Sequence, residues 1–183
     1  PSCSPAGEGQ VSCCESRWVP PTNYQTESGF PRTVQVSGFY LDRFEVTVGR
    51  FRKFVEAVDN GYRPEPQSGA HISGISWSES MLPYLNTYYL DCDFTTWQST
   101  AGAGNTEQRA MNCVSWYQAY AFCIWDHGRL PTQWEWQLAA TAGADRDYPW
   151  TESEPPTCAR SNFLINLDES GVPGFEASSW FAL

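Results

Sequence analysis

The sequence predicts a mixed α+β domain, and three observations point there. From Thr33 the run Thr-Val-Gln-Val-Ser-Gly-Phe-Tyr-Leu-Asp alternates apolar and polar residues with the two-residue period of a strand. From Val48 to Val58 the apolar residues recur at three- and four-residue steps, the period of a helix. From Ser115 to Gly143 two short helical patterns follow one another, each opened by a capping signal. A chain of 183 residues has room for one domain with a real core and barely for two.

Taken in order, residues 1–32 are rich in Pro, Ser and Gly without sustained periodicity. An N-terminal arm or loop is expected there, tied down by Cys3 and the Cys13–Cys14 pair, ahead of a domain spanning 33–183. The strand from Thr33 places Val34 and Val36 on one face. Thr47 suits the N-cap of the next helix, whose apolar stripe is Val48, Phe51, Phe54, Val55 and Val58. Asn60-Gly61 ends it, because Gly tolerates the left-handed conformation past a helix C-terminus. Arg50, Arg52 and Lys53 are expected on its solvated side.

Residues 61–111 read as a long insertion with Pro64, Pro66, scattered Gly and an aromatic group from Tyr84 to Trp97. A short helix around Ser78 to Leu90 would have to place Pro83 near its start. Beyond it, Trp116, Ala119, Tyr120, Cys123 and Ile124 fall on one helical face. Ser115 with Gln118 forms a capping box, and Gly128 supplies the stop. Thr132 with Glu135 repeats the capping pattern after Pro131. That second helix carries Trp134, Leu138 and Ala142 and ends at Gly143. Tyr148-Pro149-Trp150 then turns the chain, and the remainder is loop-like.

Composition excludes several classes of function. Twenty-one acidic against eleven basic residues give a formal net charge of −10, which repels nucleic acid and anionic membrane surfaces. No apolar run approaches the roughly 18 residues of a membrane span. Nine Trp, nine Tyr and ten Phe are mostly core material, with some rings lining a binding face. Seven cysteines without a C-x-x-C pair suggest disulfides in an oxidising compartment: secreted, cell-surface or periplasmic. Seven is odd, so one thiol has no partner within the chain. Cys123, on the apolar helix face, is expected to be that buried thiol. Cys92 with Cys113 is the preferred bridge, although connectivity stays open. His71 and His127 have no acid or nucleophile near them in sequence, and a helix C-terminus favours a cation at His127. Arg129 is expected to be buried and structural, its five donors tying carbonyls or a carboxylate such as Glu45 or Glu135 beneath Leu130-Pro131.

Two separated motifs carry a resemblance. Asn112-Cys-Val-Ser-Trp-Tyr-Gln-Ala-Tyr-Ala-Phe-Cys-Ile-Trp precedes Arg129-Leu-Pro-Thr-Gln-Trp-Glu-Trp-Gln-Leu-Ala-Ala and Tyr148-Pro-Trp. Earlier, Phe39-Tyr-Leu-Asp-Arg-Phe-Glu-Val-Thr precedes Phe51 and Phe54. In this order they resemble the formylglycine-generating, sulfatase-modifying family from about Val34 to Trp150. Departures are Gln133 and Gln137 where that family usually has Glu, Thr151 where it has Gly, and a missing entry motif after Val19-Pro20.

The resemblance implies a variant of the C-type lectin fold with little regular secondary structure, incomplete at its C-terminus. It also implies that the family's copper-binding cysteines would lie well beyond Trp150, so copper is not expected in this chain and no catalytic residue is assigned. Asn162 and Phe163 look like the start of the family's structural calcium site, with Asp168 or Glu169 as an acidic ligand, since calcium accepts oxygens in flexible arrangements. Three functions follow as expectations. The first is a non-catalytic binding or structural module of a secreted or surface assembly, with a protein partner. The second is part of a copper-dependent oxidase acting on a sulfatase cysteine. The third is a lectin-type module that binds glycans.

Overall fold

The computed structural model describes residues 12–25, 33–70, 74–90, 92–144, 148–150, 166–167 and 173–174. Strands appear before Thr33. β1 (Ser16–Val19) and β2 (Thr22–Gln25) lie in the stretch expected to be an arm or loop. The alternating run from Thr33 is a strand as expected but divides at Ser37-Gly38 into β3 (Thr33–Val36) and β4 (Phe39–Asp42). β1 pairs antiparallel with β4, and β2 with β3, so Pro20-Pro21 and Ser37-Gly38 mark where the chain passes between two small sheets. No periodicity betrayed β1 because three of its four residues are exposed: neither face is buried enough to demand an apolar row.

α1 (Val48–Asp59) forms as expected, with the Thr47 hydroxyl accepting from the Arg50 amide at 3.3 Å. Gly61, at φ 97°, follows the Asn60 cap. The start of α1 is stitched to the end of the insertion. Val48 and Gly49 amides donate to the carbonyls of Arg109 and Glu107, both at 2.9 Å, and the Met111 amide donates to Val46. A Cβ on Gly49 would lie 3.2 Å from the Glu107 carbonyl oxygen, so this approach suits glycine.

Within 61–111 the stretch around Pro83 folds as two 3₁₀ segments, Glu79–Leu85 and Thr87–Leu90, rather than one α-helix. Pro83 sits inside the first, where the tighter winding of short 3₁₀ pieces tolerates a missing amide. α2 (Trp116–Trp125) opens on the expected capping box. The Ser115 hydroxyl accepts from the Gln118 amide at 3.2 Å and the Gln118 side chain accepts from the Ser115 amide at 2.9 Å. Its burial is broader than a stripe: Gln118, Ala119, Tyr120, Ala121 and Phe122 are all buried, while Trp116 is exposed.

α2 stops differently from expectation. His127, not Gly128, takes the left-handed conformation, at φ 62°. The amides of His127 and Gly128 then donate to the carbonyls of Ile124 and Cys123, closing a Schellman motif. α3 (Gln133–Thr141) contains buried Glu135 and Leu138, and the left-handed residues Ala142 and Gly143 follow it. β5 (Asn166–Leu167) and β6 (Pro173–Gly174) pair antiparallel.

The chain divides into two compact units. The first comprises Pro1–Val19, Phe39–Thr132 and Ala182–Leu183; the second comprises Pro20–Gly38 and Gln133–Phe181. In the first, Phe51 and Phe54 of α1 pack with Phe122 of α2, their rings 5.5 and 5.8 Å from it, above buried Val48, Trp77, Leu85, Leu90 and Met111. Burial of each such ring contributes about 2 kcal/mol or more. In the second, β3 carries buried Val36 and contacts α3.

Candidate functional site

Two arginines of α1 lie inside the first unit, against the expectation of a solvated helix face. Arg50 is 4% exposed and Arg52 is 7% exposed; only Lys53 of the three basic residues faces water. Arg50 donates to Asp42 Oδ2 at 2.8 Å, to Asp126 Oδ2 at 2.7 Å and to the Cys13 carbonyl at 3.1 Å, and stands over the Phe122 ring. One guanidinium thereby joins β4, the end of α2 and the segment before β1. Burial opposes its charge, but hydrogen bonds to the two aspartates outweigh this and hold its pKa above the ordinary value.

Arg52 grips Glu107 in a forked pair, with Nη2 to Oε1 at 2.7 Å and Nε to Oε1 at 3.0 Å. Its other side covers the Trp97 ring at 4.4 Å. The Arg52 hydrogen bonds, joined by the Gly102 amide at 3.1 Å and opposed by burial, hold the Glu107 carboxyl below the usual carboxylate range. The insertion is thus fastened to α1 by charge as well as by backbone.

Sequence reasoning missed these partners. Asp42, Glu107 and Asp126 stand 8, 55 and 76 positions from their arginines, and no local pattern pairs them. The residues expected to form the buried link behave differently. Arg129 is exposed, its Nη1 donating to the Leu130 carbonyl at 3.3 Å, and Glu45 is exposed too. Glu135 alone of that trio is buried. Arg50 is one of two buried cations of this unit, and its two carboxylates offset its desolvation.

The cysteines divide by role. Cys92 and Cys113 are joined, as preferred from sequence, and Cys14 is also disulfide-bonded. Cys123 keeps its thiol, half-buried rather than fully buried. Burial first, then the nearby Asp42 and Asp126 carboxylates, push that thiol up to about 12 despite Arg50, so it is protonated at neutral pH. Cu(I) is a soft ion that needs soft, deprotonated sulfur. Cys92, Cys113 and Cys123 do not offer that, and the described residues contain no group of three His, Cys, Asp or Glu side chains that could hold a metal ion. Asn162, Phe163 and Asp168, considered for calcium, lie outside the described residues, as do Glu169 and His71.

Solvent-facing chemistry in this unit is aromatic. Tyr84 of the first 3₁₀ segment stacks on Tyr117 of α2 at 4.3 Å, and Trp116 stacks on buried Tyr120 at 4.8 Å. Trp116 is 46% exposed and Tyr84 is exposed beside it. Gln118 fixes the two elements together by donating to the Asn86 carbonyl at 3.1 Å. A shallow groove of about 600 Å³ lies between the end of α1 (Val58, Asp59), Arg63 and the 3₁₀ turn at Leu82, Pro83 and Leu85. No helix among the described residues is long and apolar enough to cross a membrane.

Comparison with known proteins places this geometry. Residues 5–176 match the sulfatase-modifying factor enzyme 1-like domain, a span that takes in most of the expected N-terminal arm. A formylglycine-generating enzyme of Thermomonospora curvata is 30% identical over 155 residues, covering 78% of this chain and 49% of the relative. An inactive C-alpha-formylglycine-generating enzyme 2 of Bos taurus is 31% identical over 144 residues, covering 68% and 45%. A hercynine oxygenase of Mycobacterium tuberculosis is 28% identical over 137 residues, covering 67% and 29%. The chain spans about half the length, or less, of these curated relatives.

Proposed function

The chain belongs to the sulfatase-modifying factor enzyme 1-like family, and from that premise we propose that it serves as a non-catalytic binding or structural module on a formylglycine-generating-enzyme-like scaffold. The observation that carries this is how the reactive groups of the first unit are used. Its buried arginines are closed into ion pairs, Cys92 and Cys113 are joined, and the Cys123 thiol is held protonated. A group that must take or give a proton or electron near neutral pH needs a pKa poised there and access to substrate, and these contacts work against both.

One surface open to a partner is the aromatic one at Trp116, Tyr117 and Tyr84. Large rings on rigid elements suit recognition because they bury much area at little entropic cost. The partner class is a protein surface of the same secreted or surface assembly, on a scaffold related to C-type lectins. The bridges at Cys92–Cys113 and Cys14 support an oxidising compartment.

A second reading draws on the 30% identity to the Thermomonospora curvata enzyme: the chain is part of an oxidase that converts a sulfatase cysteine. Incubating the full-length protein with a Cys-x-Pro-x-Arg peptide, Cu(I) and oxygen separates the two. The module reading expects an unmodified peptide; aldehyde formation at the cysteine, seen by mass spectrometry, would establish the oxidase. A glycan array with and without chelator tests the third, lectin-type reading, which requires chelator-sensitive binding.

A further inference from the structure

We propose that the Cys92–Cys113 bridge is a redox-sensitive latch on the loop that leads into α2, opened by small thiols while the core beneath it stays folded. Cys92 is exposed, and its Cα lies 5.9 Å from that of Cys113. Cys113 has φ 58°, and Phe94, two residues past Cys92 and 78% exposed, has φ 68°. Both are left-handed positions without glycine, conformations that persist only where surrounding contacts enforce them. At Cys113 the bridge is one such contact, and cutting it removes a reason for that backbone to stay there. Exposed bridges are among those that thiols open most readily.

Other contacts limit how far the opening spreads. Asn112 Oδ1 accepts from the Thr96 amide at 2.7 Å, and Asn112 Nδ2 donates to the Phe94 carbonyl at 2.9 Å. Met111 is buried on one side of Cys113, and Ser115 caps α2 on the other. Reduction would therefore loosen Phe94 and the entry to α2 locally, next to exposed Trp116, without dismantling α1. The chemistry is thiol–disulfide exchange. A thiolate attacks the exposed Cys92 sulfur, forming a mixed disulfide and expelling Cys113 as a thiolate, which takes up a proton. A second thiol attacks the mixed disulfide and releases Cys92. Two external thiols are oxidised to one disulfide, and the two electrons leave Cys92 and Cys113 as thiols.

Cys14, disulfide-bonded, half-buried and free of left-handed strain, serves as an internal reference. The full chain is equilibrated in glutathione buffers of graded reduced-to-oxidised ratio, trapped with N-ethylmaleimide and mapped by peptide mass. Cys92 and Cys113 should reach half-labelling at a ratio at least about tenfold lower than Cys14. Labelling of Cys14 first, or of all three together, overturns the latch. Hydrogen exchange on the Cys92→Ser/Cys113→Ser double variant gives a second readout. Amides of residues 92–97 should exchange about tenfold faster or more while those of α1 keep their protection. Unchanged exchange at 92–97, or lost protection in α1, contradicts the proposal.

Discussion

Arg50 shows how much one side chain can organise. It lies among Asp42, Asp126, the Cys13 carbonyl and the Phe122 ring. Arg50→Met removes the cation that pairs with both Asp42 and Asp126, the latter only 14% exposed. Breaking one side of such a pair is costly, so chemical denaturation should show a loss of about 3 kcal/mol. Arg50→Lys should recover little of it, because an ammonium cannot fork to two separate carboxylates in one plane. Glu107 has a pH signature. Its folded pKa lies below the ordinary value, so it contributes stability above the unfolded carboxylate range of about 4.3 and loses it as pH falls through the lower folded value. Glu107→Gln should flatten that acid limb of the stability profile; an unchanged limb would assign it to other carboxylates. Cys123 makes a third case. With its pKa pushed up to about 12, roughly one thiol in ten thousand is ionised at pH 8. Iodoacetamide should label it in the native state far more slowly than after denaturation, with native labelling at the unfolded rate as the contrary outcome.

Single elements test the capping logic. Ser115→Ala removes the acceptor for the Gln118 amide, while the Ser115 amide that donates to the Gln118 side chain remains. The expected loss is about 1 kcal/mol, read as a lower midpoint in urea at unchanged slope. This capping box, the Thr47 cap and the α1 stripe were legible because they are local: spacing and residue type contain them whole. β1 was not, since three of its four residues are exposed and carry no apolar alternation to detect. The left-handed His127 was hidden by the glycine next to it, which looked like the natural stop. Arg129 is exposed rather than buried, whereas Arg50 is buried and reaches Asp42 and Asp126, the second of them 76 positions away. Long-range pairing leaves no periodic trace, so charge inside a core is the part of the site that spacing rules miss.

At the scale of the whole molecule, the curated relatives include proteins named formylglycine-generating enzyme, inactive C-alpha-formylglycine-generating enzyme 2 and hercynine oxygenase. A shared scaffold therefore does not choose among them. The choice rests on whether sulfur in the protein can become paired thiolate. Among the described residues of the first unit, Cys92 and Cys113 are joined, Cys14 is disulfide-bonded, the Cys123 thiol is held protonated, and Cys13 is the remaining thiol. The measurement that bears on this most directly is Cu(I) titration of the native, full-length protein, with sulfur-to-copper charge-transfer absorption and X-ray absorption at the copper edge as readouts. A binding or structural module takes up no stoichiometric copper on sulfur in competition with bathocuproine disulfonate, a chelator without thiols that leaves the Cys92–Cys113 bridge closed. One copper per chain on two sulfur ligands, retained against that chelator, would contradict the non-catalytic account outright.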